Sequence, residues 1–130
     1  MLAKENRLKK FRDFAVLLKE GRICFGNFID VKNWKINNDK ILKNKFAEDS
    51  LKIAFLASKK NFKNAVVRNR IKRQMREVVR LLIKEKKIRP GFFLMFMAKK
   101  NIEGKSFQEI EKEILFLFDK LQILIKTKKL

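Results

Sequence analysis

The residues best suited to bind a ligand lie in one stretch, AVVRNRIKRQMREVVR, residues 65–80. It contains five arginines and one lysine but a single acidic residue, Glu77. A planar guanidinium group binds phosphate through paired hydrogen bonds and stacks on nucleobases, so clustered arginines favour nucleic acid as the ligand. Residues 59–80 carry nine basic residues and one acidic residue. If the protein contacts about six phosphates, raising the salt concentration from 50 to 200 mM should lower its affinity for nucleic acid roughly a thousandfold.

The spacing of this stretch predicts an amphipathic helix over about residues 64–86. On a helical wheel its apolar residues fall within an arc of about 120° and most of its basic residues within an opposite arc of about 160°. Like charges also stand four residues apart, as at Arg68 and Lys72, and such pairs repel each other. Because solvated helix faces usually mix charges of both signs, this pattern indicates a binding surface. The apolar positions are Val67, Ile71, Met75, Val78, Val79 and Leu82. The polar arc contains Asn69, Arg70, Lys72, Arg73, Arg76 and Arg80, and Arg68 stands at the helix start.

The overall composition agrees with a polyanion as partner. The chain has 130 residues and a net charge of +20, and its 46% hydrophobic residues suffice for one domain spanning 1–130. It has no histidine, the commonest general base and metal ligand. A single cysteine, Cys24, allows neither an internal disulfide nor a zinc cluster. We therefore expect a binding protein with no catalytic residue of its own.

No segment of the sequence predicts a membrane or secretory destination. The N-terminus lacks the apolar core of a signal peptide. The longest apolar run, FFLMFMA at residues 92–98, is far shorter than the roughly 20 residues that span a bilayer. We expect a cytoplasmic protein without a membrane partner.

The remaining patterns predict the elements that must position the basic helix. We expect a first helix over 7–20, extended chain over 22–34 and a strand over 51–58, whereas 35–50 reads as loop with a possible strand turn near Ile41. The apolar run 92–98 is typical of a central strand buried on both faces. The order is helix, strands, helix, strand, helix, which predicts a small α+β sandwich.

Ser106 and Glu109 have the spacing of a capping box, which predicts the start of the last helix. Its apolar residues recur every three or four positions, so we expect that face to pack on the sheet. They are Ile110, Ile114, Leu117, Leu121 and Leu124.

The segment SKKNFKNAVVRNRIKRQMREVVR, residues 58–80, closely resembles the signature of the protein subunit of bacterial ribonuclease P. That signature is a lysine pair, a spacer, Ala, then Arg-Asn-Arg-x-Lys-Arg, Arg-Glu and a final Arg. The stretches 6–14 and 89–100 resemble the family's first helix and last strand. The matching positions are Lys59, Lys60, Ala65, Arg68, Asn69, Arg70, Lys72, Arg73, Arg76, Glu77 and Arg80.

The resemblance implies an αβββαβα fold with helices packed on a mixed sheet of about four strands. It also implies that the chain assists a catalytic RNA, which uses Mg²⁺, in removing the 5′ leader of precursor tRNA. The partners would be ribonuclease P RNA, with one protein bound per RNA, and precursor tRNA.

 By the same resemblance, the RNA-binding residues are those of the lysine pair and the basic helix, and a cleft beside the first helix holds the single-stranded leader. Phe14, Leu18 and Val31 are the implied cleft residues. Leu18 and Val31 depart from the aromatic residues that the family often has there, which weakens the expectation of base stacking. The RNA-binding set is Lys59, Lys60, Arg68, Asn69, Arg70, Lys72, Arg73, Arg76 and Arg80.

Two other classes of function fit the composition. A ribosomal or other structural RNA-binding protein would carry a similar charge, and only the ordered motif at 58–80 and the expected leader cleft argue against it. A DNA-binding or membrane-surface protein would also be basic. The sequence contains no obvious helix-turn-helix pair, and the apolar face of the basic helix would have to leave a core to enter a membrane.

Overall fold

The computed structural model describes residues 2–37 and 49–123, and their elements follow the order αβββαβα. This confirms the expected α+β fold. The position near Ile41 and the last apolar position, Leu124, lie outside the described residues. The elements are α1 (Phe11–Glu20), β1 (Arg22–Cys24), β2 (Ile29–Lys35), β3 (Leu51–Leu56), α2 (Ala65–Lys84), β4 (Phe92–Ala98) and α3 (Phe107–Lys120), with short 3₁₀ helices at Lys4–Asn6 and Lys100–Ile102.

The four strands form one mixed sheet in the order β1-β2-β4-β3. β4 pairs antiparallel with β2 and parallel with β3, so the apolar run 92–98 is a central strand, as predicted. Successive side chains of a strand point to opposite faces. Phe93 and Met95 therefore pack in the cluster under α1, whereas Leu94 and Phe96 pack in the larger core with α2 and α3. Both faces of the sheet are covered.

The first helix begins at Phe11, four residues later than predicted. Arg7 instead forms a parallel bridge with Ile53, and the Leu8 N–H donates to the Ile53 carbonyl at 3.1 Å. The segment before α1 thus continues the sheet beyond the edge strand β3. These backbone hydrogen bonds replace the helical ones that the periodicity of residues 7–10 would allow.

Local capping sets the starts of the two later helices. The Asn64 side chain accepts a hydrogen bond from the Val66 N–H at 2.8 Å and caps α2. At α3 the Ser106 hydroxyl accepts from the Glu109 N–H at 3.2 Å, and the Glu109 carboxylate accepts from the Ser106 N–H at 3.1 Å. The predicted capping box is therefore present. The buried residues of α2 are Ile71, Met75, Val78, Val79 and Leu82, all on the predicted apolar face.

A buried carboxylate fixes the chain between β1 and β2. Glu113 of α3 is 5% exposed, and one of its oxygens accepts from the N–H groups of Phe28 at 2.7 Å and Ile29 at 3.1 Å. A Cβ added at Gly26 would lie 2.2 Å from the Ile29 carbonyl oxygen. Glycine is thus required where this loop passes over α3.

Candidate nucleic-acid interface

The face of α2 opposite the core carries uncompensated positive charge. Arg70 and Arg73 are exposed, and among the residues that the structure describes neither has an ion-pair or hydrogen-bond partner. Lys72 and Arg76 are half-buried beside them. We call Arg70, Lys72, Arg73 and Arg76 the cationic strip. A phosphate could approach it without breaking an internal ion pair.

Arg68 differs from the strip because its guanidinium already has partners. Its Nη1 donates to the carbonyl oxygens of Phe62 at 2.8 Å and Lys63 at 3.0 Å. These hydrogen bonds tie the start of α2 to the turn that precedes it. The sequence predicted Arg68 only as an RNA contact, whereas in the structure Arg68 also stabilises the start of α2.

At the other end of the basic face, Arg80 is paired with Glu77. The Arg80 Nη2 lies 2.6 Å from one oxygen of Glu77, and its Nε donates to the other at 3.0 Å. The hydrogen bond from Arg80 lowers the pKa of Glu77, and the same bond raises the pKa of Arg80. Glu77 stays ionised and offsets the charge of Arg80, so the free charge is concentrated in the strip.

The other predicted contacts surround the start of α2. Lys59 and Lys60 are exposed in the turn after β3, and Asn69 is exposed in the first part of the helix. The structure thus places the lysine pair and the strip on neighbouring segments of the chain.

A groove of about 390 Å³ lies beside the edge strand β3, and its lining includes both residues of the bridge, Arg7 and Ile53. We call it the β3 groove. It combines aromatic rings with cations, and the Arg76 guanidinium lies 5.9 Å from the centroid of the Phe55 ring. Arg76 therefore belongs both to the strip and to the groove. The lining residues are Leu2, Arg7, Leu8, Lys9, Phe14, Ile53, Ala54, Phe55 and Arg76.

The three residues expected in a leader cleft are not all brought together. Phe14 is half-buried and lines the β3 groove. Leu18 lies one helical turn further along α1 and is 56% exposed, outside the groove lining. The placement of Val31 in a cleft beside α1 is wrong, because Val31 is fully buried in the core on the opposite face of the sheet. On β2 the side chain of Trp34 packs in the cluster under α1 instead.

None of the helices in the described ranges is long and apolar enough to cross a membrane.

Phe55 was missed as a groove residue because it stands at an alternating strand position that predicts core. Phe107 of α3 lines a separate pocket together with Arg70 and Arg73, which is described below.

Known proteins are similar to this chain in both sequence and fold. The family model for ribonuclease P matches residues 2–122. The ribonuclease P protein component of Alkaliphilus metalliredigens is 32% identical over 119 residues, which cover 92% of this chain and 96% of that protein. The corresponding protein of Clostridioides difficile is 34% identical over 118 residues, covering 91% and 93%.

Solved structures give the same picture of the fold. The ribonuclease P protein of Staphylococcus aureus superimposes with a TM-score of 0.70 at 24% identity, covering 94% of this chain and all of that one. The protein from Thermotoga maritima gives a TM-score of 0.68 at 23% identity, with coverages of 93% and 98%. The chain therefore belongs to the ribonuclease P protein family.

Proposed function

We propose that the cationic strip binds the RNA of ribonuclease P and that the β3 groove holds the single-stranded 5′ leader of precursor tRNA. As a family member, the chain is the RNA-binding protein component of an endoribonuclease ribonucleoprotein that removes this leader, with catalysis in the RNA. The proposal assigns the two tasks to particular surfaces.

The free guanidinium groups of Arg70 and Arg73 are the observation that carries the proposal. Their like charges weaken α2 in the isolated protein, since repulsion between basic residues one turn apart is destabilising. A phosphate backbone removes this repulsion and can accept paired hydrogen bonds from each group. Lys59, Lys60 and Asn69 extend the proposed contact towards the start of the helix, and Arg80 extends it towards the end.

The β3 groove has the chemistry that a single strand requires. Proteins hold unpaired nucleotides by stacking bases on aromatic rings and by attracting the backbone with positive charge. Phe14 and Phe55 supply rings, and Arg7 and Lys9 supply charge. Because Arg76 contributes to both surfaces, a strand in the groove would meet the RNA held by the strip. Leu18 can extend the contact only by apolar packing.

The proposal places Mg²⁺ at the RNA and gives the protein an indirect role in binding it. Across residues 2–37 and 49–123 no three acidic or cysteine side chains are clustered as a metal site would need. Positive charge that neutralises phosphates lets the RNA fold with less divalent cation. The proposal further comprises one protein per RNA, a single domain over the chain and a cytoplasmic location.

Reconstitution with ribonuclease P RNA at low Mg²⁺ tests the proposal. The chain should raise the cleavage of precursor tRNA, and Phe14→Leu should weaken the binding of substrates with a leader by about fivefold or more, since stacking contributes ~1–3 kcal/mol per base. Binding of leaderless tRNA should not change. Phe11→Leu is the matched control, because Phe11 is 88% exposed on the same helix but outside the groove.

The two parts of the proposal, RNA binding by the cationic strip and leader binding by the β3 groove, can be contradicted separately. If the chain does not stimulate cleavage, the assignment of the cationic strip to ribonuclease P RNA is contradicted. If Phe14→Leu affects both substrates equally, the groove does not hold the leader.

A further inference from the structure

A second pocket opens between α2 and the first turn of α3. It has a volume of about 390 Å³ and shares no residue with the β3 groove. This volume lies within the ~300–1,000 Å³ typical of small-ligand sites. The lining residues are Arg70, Arg73, Gln74, Glu77 and Phe107.

Phe107 is held firmly at the edge of this pocket. It is the first residue of α3, directly after Ser106, so the capping box fixes its backbone. Its side chain is half-buried and packs against the larger core. A ring fixed in this way loses little conformational freedom when a flat ligand stacks on it.

The other walls provide groups suited to a nucleotide. Arg70 and Arg73 have no partner among the described residues, and the Gln74 amide can both donate and accept hydrogen bonds. Glu77 can accept a hydrogen bond from a base amino group while it remains paired with Arg80. A site for phosphate alone would need only the cations, so the aromatic wall favours a ligand that also contains a planar ring.

We propose that this pocket binds one unpaired nucleotide of ribonuclease P RNA, with its base stacked on Phe107 and its flanking phosphates bound by Arg70 and Arg73. This inference rests on the proposed function of the cationic strip. It adds a contact that fixes the position of the RNA along α2, because backbone contacts alone do not distinguish one register from the next.

The first experiment measures the affinity for ribonuclease P RNA at several salt concentrations. Phe107→Leu keeps an apolar side chain but removes the ring, so we expect a fall in affinity of about fivefold or more. The salt dependence should not change, because no charge is lost. Phe107→Tyr should bind like the unsubstituted protein. Phe116→Leu is the control, since Phe116 is 53% exposed on the same helix and outside this pocket.

A fluorescence measurement remains informative if Phe107→Leu fails to fold. The sequence has one tryptophan, Trp34, which is 6% exposed under α1. Phe107→Trp adds a second tryptophan, and stacking of a base on it should quench the added emission when the RNA is bound. The unsubstituted protein supplies the baseline for Trp34.

The inference is overturned if Phe107→Leu binds the RNA normally or if the added tryptophan is not quenched. Should Arg70→Ala with Arg73→Ala still reduce the salt dependence in that case, the proposed function of the strip stands without the pocket. An affinity loss for precursor tRNA alone, with none for ribonuclease P RNA, would overturn the choice of RNA.

Discussion

Replacing Arg70 and Arg73 together with alanine should weaken RNA binding without weakening the fold. Both side chains are exposed on α2 and make no contact that α2 requires. Each phosphate contact contributes ~0.7–0.9 to the slope of log affinity against log salt, so losing two lowers the slope by about 1.4–1.8. Between 50 and 200 mM salt, the unsubstituted protein should therefore lose about 7–12-fold more affinity than the variant.

Arg68→Ala should behave differently because it also removes a structural contact. Its guanidinium donates to two carbonyl oxygens in the turn before α2, at 2.8 and 3.0 Å. Hydrogen bonds from charged groups contribute ~1.5–3 kcal/mol when buried, and this side chain is half-buried, so we expect a loss of about 1–2 kcal/mol in the free energy of unfolding. The affinity for RNA should fall as well.

The assays are filter binding or calorimetry across a salt series and urea unfolding of each free protein. Lys100→Ala with Lys112→Ala is the matched control, since both lysines are exposed outside α2 and the change in net charge is the same. Equal slopes for this control and the arginine variant would show that only total charge matters. If the double arginine variant unfolds, Arg70 and Arg73 have a structural role that the reasoning denies them. If Arg68→Ala is as stable as the unsubstituted protein, the hydrogen bonds of Arg68 do not stabilise the fold.

Two further predictions concern carboxylates of α3. Glu113→Ala should lower the free energy of unfolding by about 2–4 kcal/mol in urea, because the buried N–H groups of Phe28 and Ile29 lose their acceptor; unchanged stability would mean that water replaces the carboxylate. The pKa of Glu109 is lowered, first by the hydrogen bond from the Ser106 N–H, so its ionised form stabilises the fold. That stability is present above the unfolded pKa, near 4.5, and is lost as pH falls through the lower folded pKa. Thermal unfolding between pH 7 and 3 should thus show a steeper acid loss for the unsubstituted protein than for Glu109→Gln, and parallel curves would contradict this.

The sequence predicted those elements whose signal is local. The apolar arc of α2 identified Ile71 and Met75 as core, and both are buried. The Ser106–Glu109 spacing predicted the start of α3 because a capping box needs only residues three positions apart. In each case the contacts that decide the structure lie within one or two helical turns.

The sequence did not predict features that depend on residues far apart in the chain. β2 is covered on both faces, so alternation could not show which face Val31 joins, and a shift of one position moves a residue to the other side. The late start of α1 depends on Ile53, which pairs with Arg7 across the edge of the sheet. Phe107 was not among the predicted residues, because only the packing of α3 beside α2 places it next to the arginines.

The magnitudes explain how α2 can serve both the fold and the RNA. Its five buried side chains contribute ~1.5–3 kcal/mol each relative to exposure. Repulsion between basic residues one turn apart costs only ~0.2–0.5 kcal/mol per pair, and Glu77 offsets part of it at Arg80. The apolar face therefore outweighs the charged face by a wide margin, so the helix can keep its guanidinium groups unpaired in the free protein. That margin is why we expect the loss of Arg70 and Arg73 to change the affinity for RNA and to leave the stability of the fold almost unchanged.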